Sequence, residues 1–162
     1  MKRIIHIEEE FLSKDECQNF IEYYLSHKSS IEYYSSYQSS TFILDIISAY
    51  KKDKIFSETV ERVFKICKSF DSDIGLQSLE IVRWPIASLM KPHLDPSNDV
   101  FAAMIYLNDD FEGGYTCFDH MKVKPEMGKM IIFSNSQYRH YVSKVTSGMR
   151  YTFAFWFVRI NK

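Results

Sequence analysis

From Leu76 onward the chain is a succession of short apolar runs broken by turn signals, and that rhythm limits its fold more than any other feature. The runs are LEIVRW, VFAAMIYL, YTCF, MIIF, HYVSKV and RYTFAFWFV, parted by segments such as DPSND, NDDFEGG and TSG. Short strands at regular spacing with tight turns imply an antiparallel sandwich or barrel. In the last run, strict alternation puts Arg150, Thr152, Ala154, Trp156 and Val158 on one face of a strand. Tyr151, Phe153, Phe155 and Phe157 then share the other face, which reads as packing. The same rule puts Ala102, Met104 and Tyr106 on one side of FAAMIYLN.

The first part of the chain reads differently. Residues 3–7 predict a short strand, and Ser13 with Glu16 forms a capping-box signal before a helix carrying Cys17, Phe20, Ile21 and Tyr24. A second helix is expected from about Phe56 to Ser69, with Val60, Val63, Phe64 and Cys67 at helical spacing. Both helices should pack on one face of a sheet. Between them, Ser29 to Thr41 is polar and rich in tyrosine, an exposed loop over a groove or plain surface, with a strand expected in TFILDII. No Pro/Gly/Ser linker divides the 162 residues, so residues 1–162 are expected to form a single domain.

Against this background, His93 and Asp95 in KPHLDPS are the first chemical signal. On an extended segment the side chains at i and i+2 share a face, so an imidazole and a carboxylate reach one metal ion together. Pro92 and Pro96 bracket a short extended piece. His140 in YRHYVSKV supplies a third ligand from a distant strand. Two histidines and a carboxylate on one face of an ion form the triad of non-haem Fe(II) oxygenases. Imidazole and carboxylate also suit zinc, so this ligand set alone leaves a zinc hydrolase open. Ten residues on, Arg150 shares its strand face with small Thr152 and Ala154 and with Trp156, a face able to line a cavity for a small dicarboxylate. A guanidinium buried there is costly without an anion and fits a carboxylate with two parallel hydrogen bonds.

These residues and their surroundings resemble the prolyl 4-hydroxylase-like branch of the 2-oxoglutarate and Fe(II)-dependent dioxygenases. The resemblance runs through FLSKDEC, RW ahead of HLD, YLNDDFEGGYTCF, VKPEMGKMIIF and HYVSKVTSGMRY, ending in FAFWF. It implies an α+β, mainly β fold, a double-stranded β-helix (jelly roll) with N-terminal helices packed on one sheet. Helical support would span about 12–70 and the jelly-roll core about 76–160. It implies Fe(II) on His93, Asp95 and His140, with His140 on the penultimate strand. It also implies 2-oxoglutarate as cosubstrate with its far carboxylate on Arg150 and on the Tyr106 hydroxyl. Thr116 and Trp156 match further positions of the family's cosubstrate pocket. The chain departs from the pattern at Trp84, where the family usually has Tyr; an indole N–H donates but cannot accept. The reaction implied is O2-dependent hydroxylation of a prolyl residue in a peptide or protein, releasing succinate and carbon dioxide, with ascorbate as a candidate reductant. A free amino acid or other small molecule as substrate, and a non-catalytic metal-binding module, are the alternatives.

Charge narrows the partners. A net charge of −1 with interspersed acids and bases gives no basic stripe, so neither nucleic acid nor a lipid surface is implied. The nucleic-acid demethylase branch resembles Arg-x5-Arg, whereas this chain has Arg150-x5-Trp156. Cys17, Cys67 and Cys117 are odd in number and widely spaced, which predicts a reducing compartment. Without a signal-peptide pattern or a membrane-length apolar stretch, the cytoplasm is expected. His120, beside Asp119, reads as a surface hairpin residue, since neighbours on a strand face opposite ways. Asp109, Asp110 and Glu112 lack EF-hand spacing, and Gly113 and Gly114 read as a tight turn with positive φ.

Overall fold

The computed structural model describes residues 3–34 and 41–160, and shows a large sheet with two helices on one face and a smaller sheet across the other. Strand β1 is Ile5–Glu8, followed by α1, Lys14–Ser26. Ser13 accepts from the Glu16 N–H at 3.2 Å and Glu16 accepts from the Ser13 N–H at 2.7 Å, the reciprocal capping box that the sequence signals. Strands β2 (Glu32–Tyr34) and β3 (Thr41–Asp45) follow. β2 lies inside the segment expected to be a loop, and residues 35–40 of that segment lie outside the described residues. Helix α2 spans Lys54–Phe70, two residues earlier than periodicity alone indicates, because Asp53 accepts from the Ile55 N–H at 2.9 Å and caps it. No helix among the described residues is long and apolar enough to cross a membrane.

The remaining strands are β4 (Ile74–Trp84), β5 (Met90–His93), β6 (Asp99–Tyr106), β7 (Glu112–Gly113), β8 (Thr116–Phe118), β9 (Met121–Val123), β10 (Met130–Phe133), β11 (His140–Val142), β12 (Val145–Ser147) and β13 (Arg150–Arg159). The large sheet runs β1-β10-β6-β13-β4-β3-β2, the smaller β5-β11-β8-β9, and β12 pairs with β7. Every strand pairing among the described residues is antiparallel, as a jelly roll of the double-stranded β-helix type requires.

Alternation along β13 divides the molecule as the sequence predicts. Phe153, Phe155 and Phe157 are fully buried in the core under the helices, against Phe20 of α1 and Phe56, Val63 and Cys67 of α2. Thr152, Ala154 and Trp156 face the space between the sheets instead. A bulge interrupts the regularity: Trp156 pairs with Ser78 but Phe157 pairs with Leu76, so Gln77 is the extra residue on β4. Both Gln77 and Ser78 border the inter-sheet space as a result.

Candidate functional site

A cavity of about 640 Å³ opens between the two sheets, and all the candidate residues except Tyr106 line it. His93 ends β5 and sits directly opposite His140, which begins β11, so one antiparallel register sets both imidazoles side by side with ring centroids 4.3 Å apart. β5 is an edge strand, which accommodates Pro92 and its missing N–H. Asp95 lies just past the strand, ahead of Pro96, and its Oδ1 is 3.4 Å from His93 Nε2 while Oδ2 is 3.9 Å from His140 Nε2. The i and i+2 relation therefore works across a strand end. His140 is also one strand earlier than expected, because short β12 intervenes before β13.

One potential donor atom from each of the three residues lies within 4.8 Å of the others. Each imidazole has its Nδ1 at a backbone carbonyl, His93 at Lys91 (2.8 Å) and His140 at Tyr138 (2.9 Å). With the Nδ1 proton donated to a carbonyl, each Nε2 presents a lone pair to the shared centre. The hydrogen bond to Asp95 is the main cause raising the His93 pKa above its usual value, whereas burial lowers that of His140. Burial works against the charge on Asp95, yet His93, His140 and Asn135 together hold its pKa below the usual carboxylate value. Two imidazole lone pairs converging on a carboxylate form a donor set suited to a divalent cation.

Asn135 was not singled out from the sequence. Its Nδ2 donates to Asp95 Oδ2 at 2.9 Å, and its backbone carbonyl accepts from the Asp95 N–H at 3.3 Å. It sits in the polar run SNSQYR between MIIF and His140, which carries only a turn signal.

Arg150 begins β13 opposite Trp84 and is wholly buried. Its guanidinium lies 4.7 Å from the Trp84 ring centroid and 5.4 Å from that of Tyr106. Nη2 reaches Met104 Sδ at 3.1 Å, while Nε and Nη1 have no hydrogen-bond partner. A surface arginine paired with an acid is ruled out by this burial. Burial acts to lower its pKa, with the Tyr106 hydroxyl in partial compensation. A buried guanidinium with two orphaned nitrogens at a cavity wall fits a bound carboxylate. Gly114, at φ +60°, makes room for it, since a Cβ there would lie 2.8 Å from Arg150 Cδ.

The other expected residues fall into two groups. Thr116, Trp156 and Trp84 line the cavity, and the Trp84 indole N–H already donates to Thr152 Oγ1 at 3.2 Å. Tyr106 is fully buried beneath the guanidinium and is not among the lining residues, its hydroxyl lying 2.7 Å from Thr116 Oγ1 and accepting from the Thr116 N–H at 3.2 Å. His120 is exposed beyond the end of β8, away from the cavity lining. Gly113 and Gly114 take positive φ, as the turn reading requires.

Residues 81–158 match the family described as the 2OG-Fe(II) oxygenase superfamily. Prolyl 3-hydroxylase 2 of Rattus norvegicus is 42% identical over 65 residues, covering 35% of this chain and 9% of that protein. The human protein of the same name gives the same figures. The chain thus corresponds to under a tenth of the length of these relatives. Among solved structures, the viral collagen prolyl hydroxylase of Paramecium Bursaria Chlorella virus-1 in complex with 2OG superposes with a TM-score of 0.78 at 16% identity, covering 97% of this chain and 96% of that one. A Pseudomonas putida prolyl-4-hydroxylase gives a TM-score of 0.78 at 16% identity, with 99% and 95% covered. These two likenesses are of fold, and they bear out the jelly-roll expectation.

Proposed function

We propose that this chain, a member of the 2OG-Fe(II) oxygenase superfamily through its residues 81–158, is a 2-oxoglutarate- and Fe(II)-dependent dioxygenase that hydroxylates prolyl residues of a peptide or protein. One observation carries the reading: a two-histidine, one-carboxylate donor set shares a cavity with a wholly buried arginine that has two nitrogens unpaired. The second feature adds to the bare ligand set an anion site in the same cavity, as a dicarboxylate cosubstrate requires. The prolyl substrate draws its support from relatives and fold neighbours that are named as prolyl hydroxylases.

In this reading His93, Asp95 and His140 hold the iron, and Arg150 takes the far carboxylate of 2-oxoglutarate. When bound, the iron couples oxidative decarboxylation of 2-oxoglutarate by O2 to transfer of one oxygen atom into a C–H bond, yielding succinate, carbon dioxide and the hydroxylated product. The protein's share is positional. The Nδ1 contacts to Lys91 and Tyr138 carbonyls fix the imidazole tautomers, and Asn135 orients the carboxylate. Trp84 and Tyr106 hold the guanidinium plane, while Thr116 and Trp156 wall the cavity. Val82, Val142 and Ala154 add apolar walls that limit water around the reacting groups. Ascorbate as an accessory reductant belongs to the same proposal. So do residues 1–162 as one catalytic domain and a reducing, cytoplasmic location, the latter supported by three free, buried cysteines.

The test is succinate formation by iron-loaded protein given 2-oxoglutarate, oxygen and proline-containing peptides, with a one-oxygen mass increase in the peptide. His140→Ala and Arg150→Ala should each abolish both signals. Succinate formation that survives either substitution would refute the site assignment.

A further inference from the structure

The cavity is polarised. Along the inner face of β4, Trp84, Val82, Glu80 and Ser78 follow one another from the Arg150 end, so Glu80 stands roughly 13 Å from Trp84 along the strand. At that distance Glu80 is no ion-pair partner for Arg150. Its Oε2 is shielded from solvent and meets no hydrogen-bond donor. Across β13, Asp99 of β6 lines the same cavity at only 6% exposure, and neither carboxylate makes an ion pair among the described residues. Trp156 projects from the strand between them.

The surroundings add negative charge. Asp45 on β3 sits directly opposite Glu80, a like-charge cross-strand pair that is unfavourable by itself. Glu32 on β2 is one strand further along. Arg83, the basic residue next along β4, faces the helix side, where its guanidinium packs over the Phe42 ring at 4.2 Å. Burial, with the fields of Asp45 and Glu32, pushes the Glu80 carboxyl up to about 7. Burial and Asp95 raise the Asp99 pKa as well. Anionic groups under this much strain are relieved by a cation that arrives with a ligand.

We propose that the end of the cavity away from Arg150 is a cation subsite, in which Glu80 receives an ammonium or guanidinium group of the substrate, with Trp156 as its aromatic wall and Asp99, two strands across and four residues further along β13, adding negative field rather than a contact. The inference rests on the oxygenase reading and deepens it: the hydroxylated residue is flanked by a lysine or arginine. The same chemistry is offered by a free basic amino acid, which the test separates from a peptide.

Binding is measured on iron-loaded protein with 2-oxoglutarate in the absence of oxygen, so nothing turns over. Trp84 and Trp156, the chain's two tryptophans, both line the cavity and report occupancy by fluorescence. The probes are matched proline peptides with a flanking Lys, Arg, Gln or Glu, together with free lysine and free arginine. The Lys or Arg peptides should bind at least about tenfold more tightly than the Gln peptide, and Glu80→Gln should reduce that preference to about twofold or less, with Asp99→Asn reducing it in part. Equal binding of basic and neutral probes by the unmodified protein would overturn the subsite. So would a preference that survives both substitutions, or binding by no probe at all. Free lysine or arginine binding as tightly as the peptides would support the subsite and overturn the peptide half of the proposed function. The same panel followed by succinate keeps the two claims apart: turnover without basic preference sinks the subsite alone, and basic-selective binding without succinate sinks the oxygenase reading alone.

Discussion

Arg150 is a side chain in unfavourable surroundings, which the proposed role as the anion site for 2-oxoglutarate would explain. It is wholly buried, stacked between Trp84 and Tyr106, with a thioether in place of an acid as its neighbour. Arg150→Met should therefore raise the melting temperature of the ligand-free protein while weakening 2-oxoglutarate binding by roughly two to three orders of magnitude, measurable by scanning calorimetry and titration calorimetry. A lower melting temperature would mean that the aromatic rings alone satisfy the charge. Asn135 gives a complementary case, since its side-chain amide donates to Asp95, a proposed ligand, and not to the metal position itself. Asn135→Ala should reduce metal affinity by about 10- to 100-fold in a chelator competition, with little change in helix content. Glu80 carries a pH signature. Its folded-state pKa is raised to about 7 from an ordinary 4.5, so the folded protein holds a proton that the unfolded chain releases. Stability from this group is complete below the ordinary value and is lost as pH rises to the folded one. Glu80→Gln should melt several degrees above the unmodified protein near pH 8 and level with it near pH 4.

At the scale of elements, alternation was the readable part and interruptions were not. The faces of β13 and β6 follow directly from residue order, since side chains two apart must share a side. Helix α1 was equally legible, because Ser13 and Glu16 mark its start chemically. β2 was missed: three residues in a polar stretch carry no periodic signal, and their strand character comes from pairing with β3. The Gln77 bulge was missed for a related reason, as it is defined by register with β13 rather than by local composition. Among the candidate site residues, His93, Asp95, His140 and Arg150 were legible by type and spacing. Asn135 did not, because an amide in a turn looks like every other turn amide until the carboxylate it meets is known. Tyr106 was given the correct face, but its hydroxyl turns to Thr116, a pairing set by three-dimensional packing. The turn bearing Gly114 links these scales. Gly114→Ala forces an unfavourable φ and pushes on Arg150 Cδ, so 2-oxoglutarate affinity should fall while metal affinity measured alone stays within about twofold.

For the whole molecule, the two faces of the large sheet divide the work. The helix face carries the main aromatic core, and the inner face carries the charged groups of the cavity. Much of the favourable energy of folding thus lies away from the site, which leaves the cavity free to hold Arg150, Glu80 and Asp99 in unfavourable surroundings. Ligands should then stabilise strongly. Metal and 2-oxoglutarate, each at about a hundred times its dissociation constant, should each add about 2.7 kcal/mol, or roughly 5–10 °C in melting temperature. A chelator should reverse the gain from metal in a thermal-shift assay, and the absence of any shift would contradict the assigned site. The sheet order was beyond the sequence, because pairing among short strands of similar composition is decided by closure of the whole barrel.

The same topology ties the front of the chain to its chemistry. Ile4 and Ser134 exchange two hydrogen bonds of 3.0 Å, and the next residue is Asn135. Arg3 donates to the Gln137 carbonyl at 2.9 Å in the same turn, whose Tyr138 carbonyl steadies His140. β1 is therefore a brace. Peeling away residues 3–8, by proteolytic nicking or by a bulky tag fused close to them, would slacken the scaffold behind Asp95 and His140, two of the three proposed iron ligands, and the first symptom would be a protein that still folds yet leaks its metal.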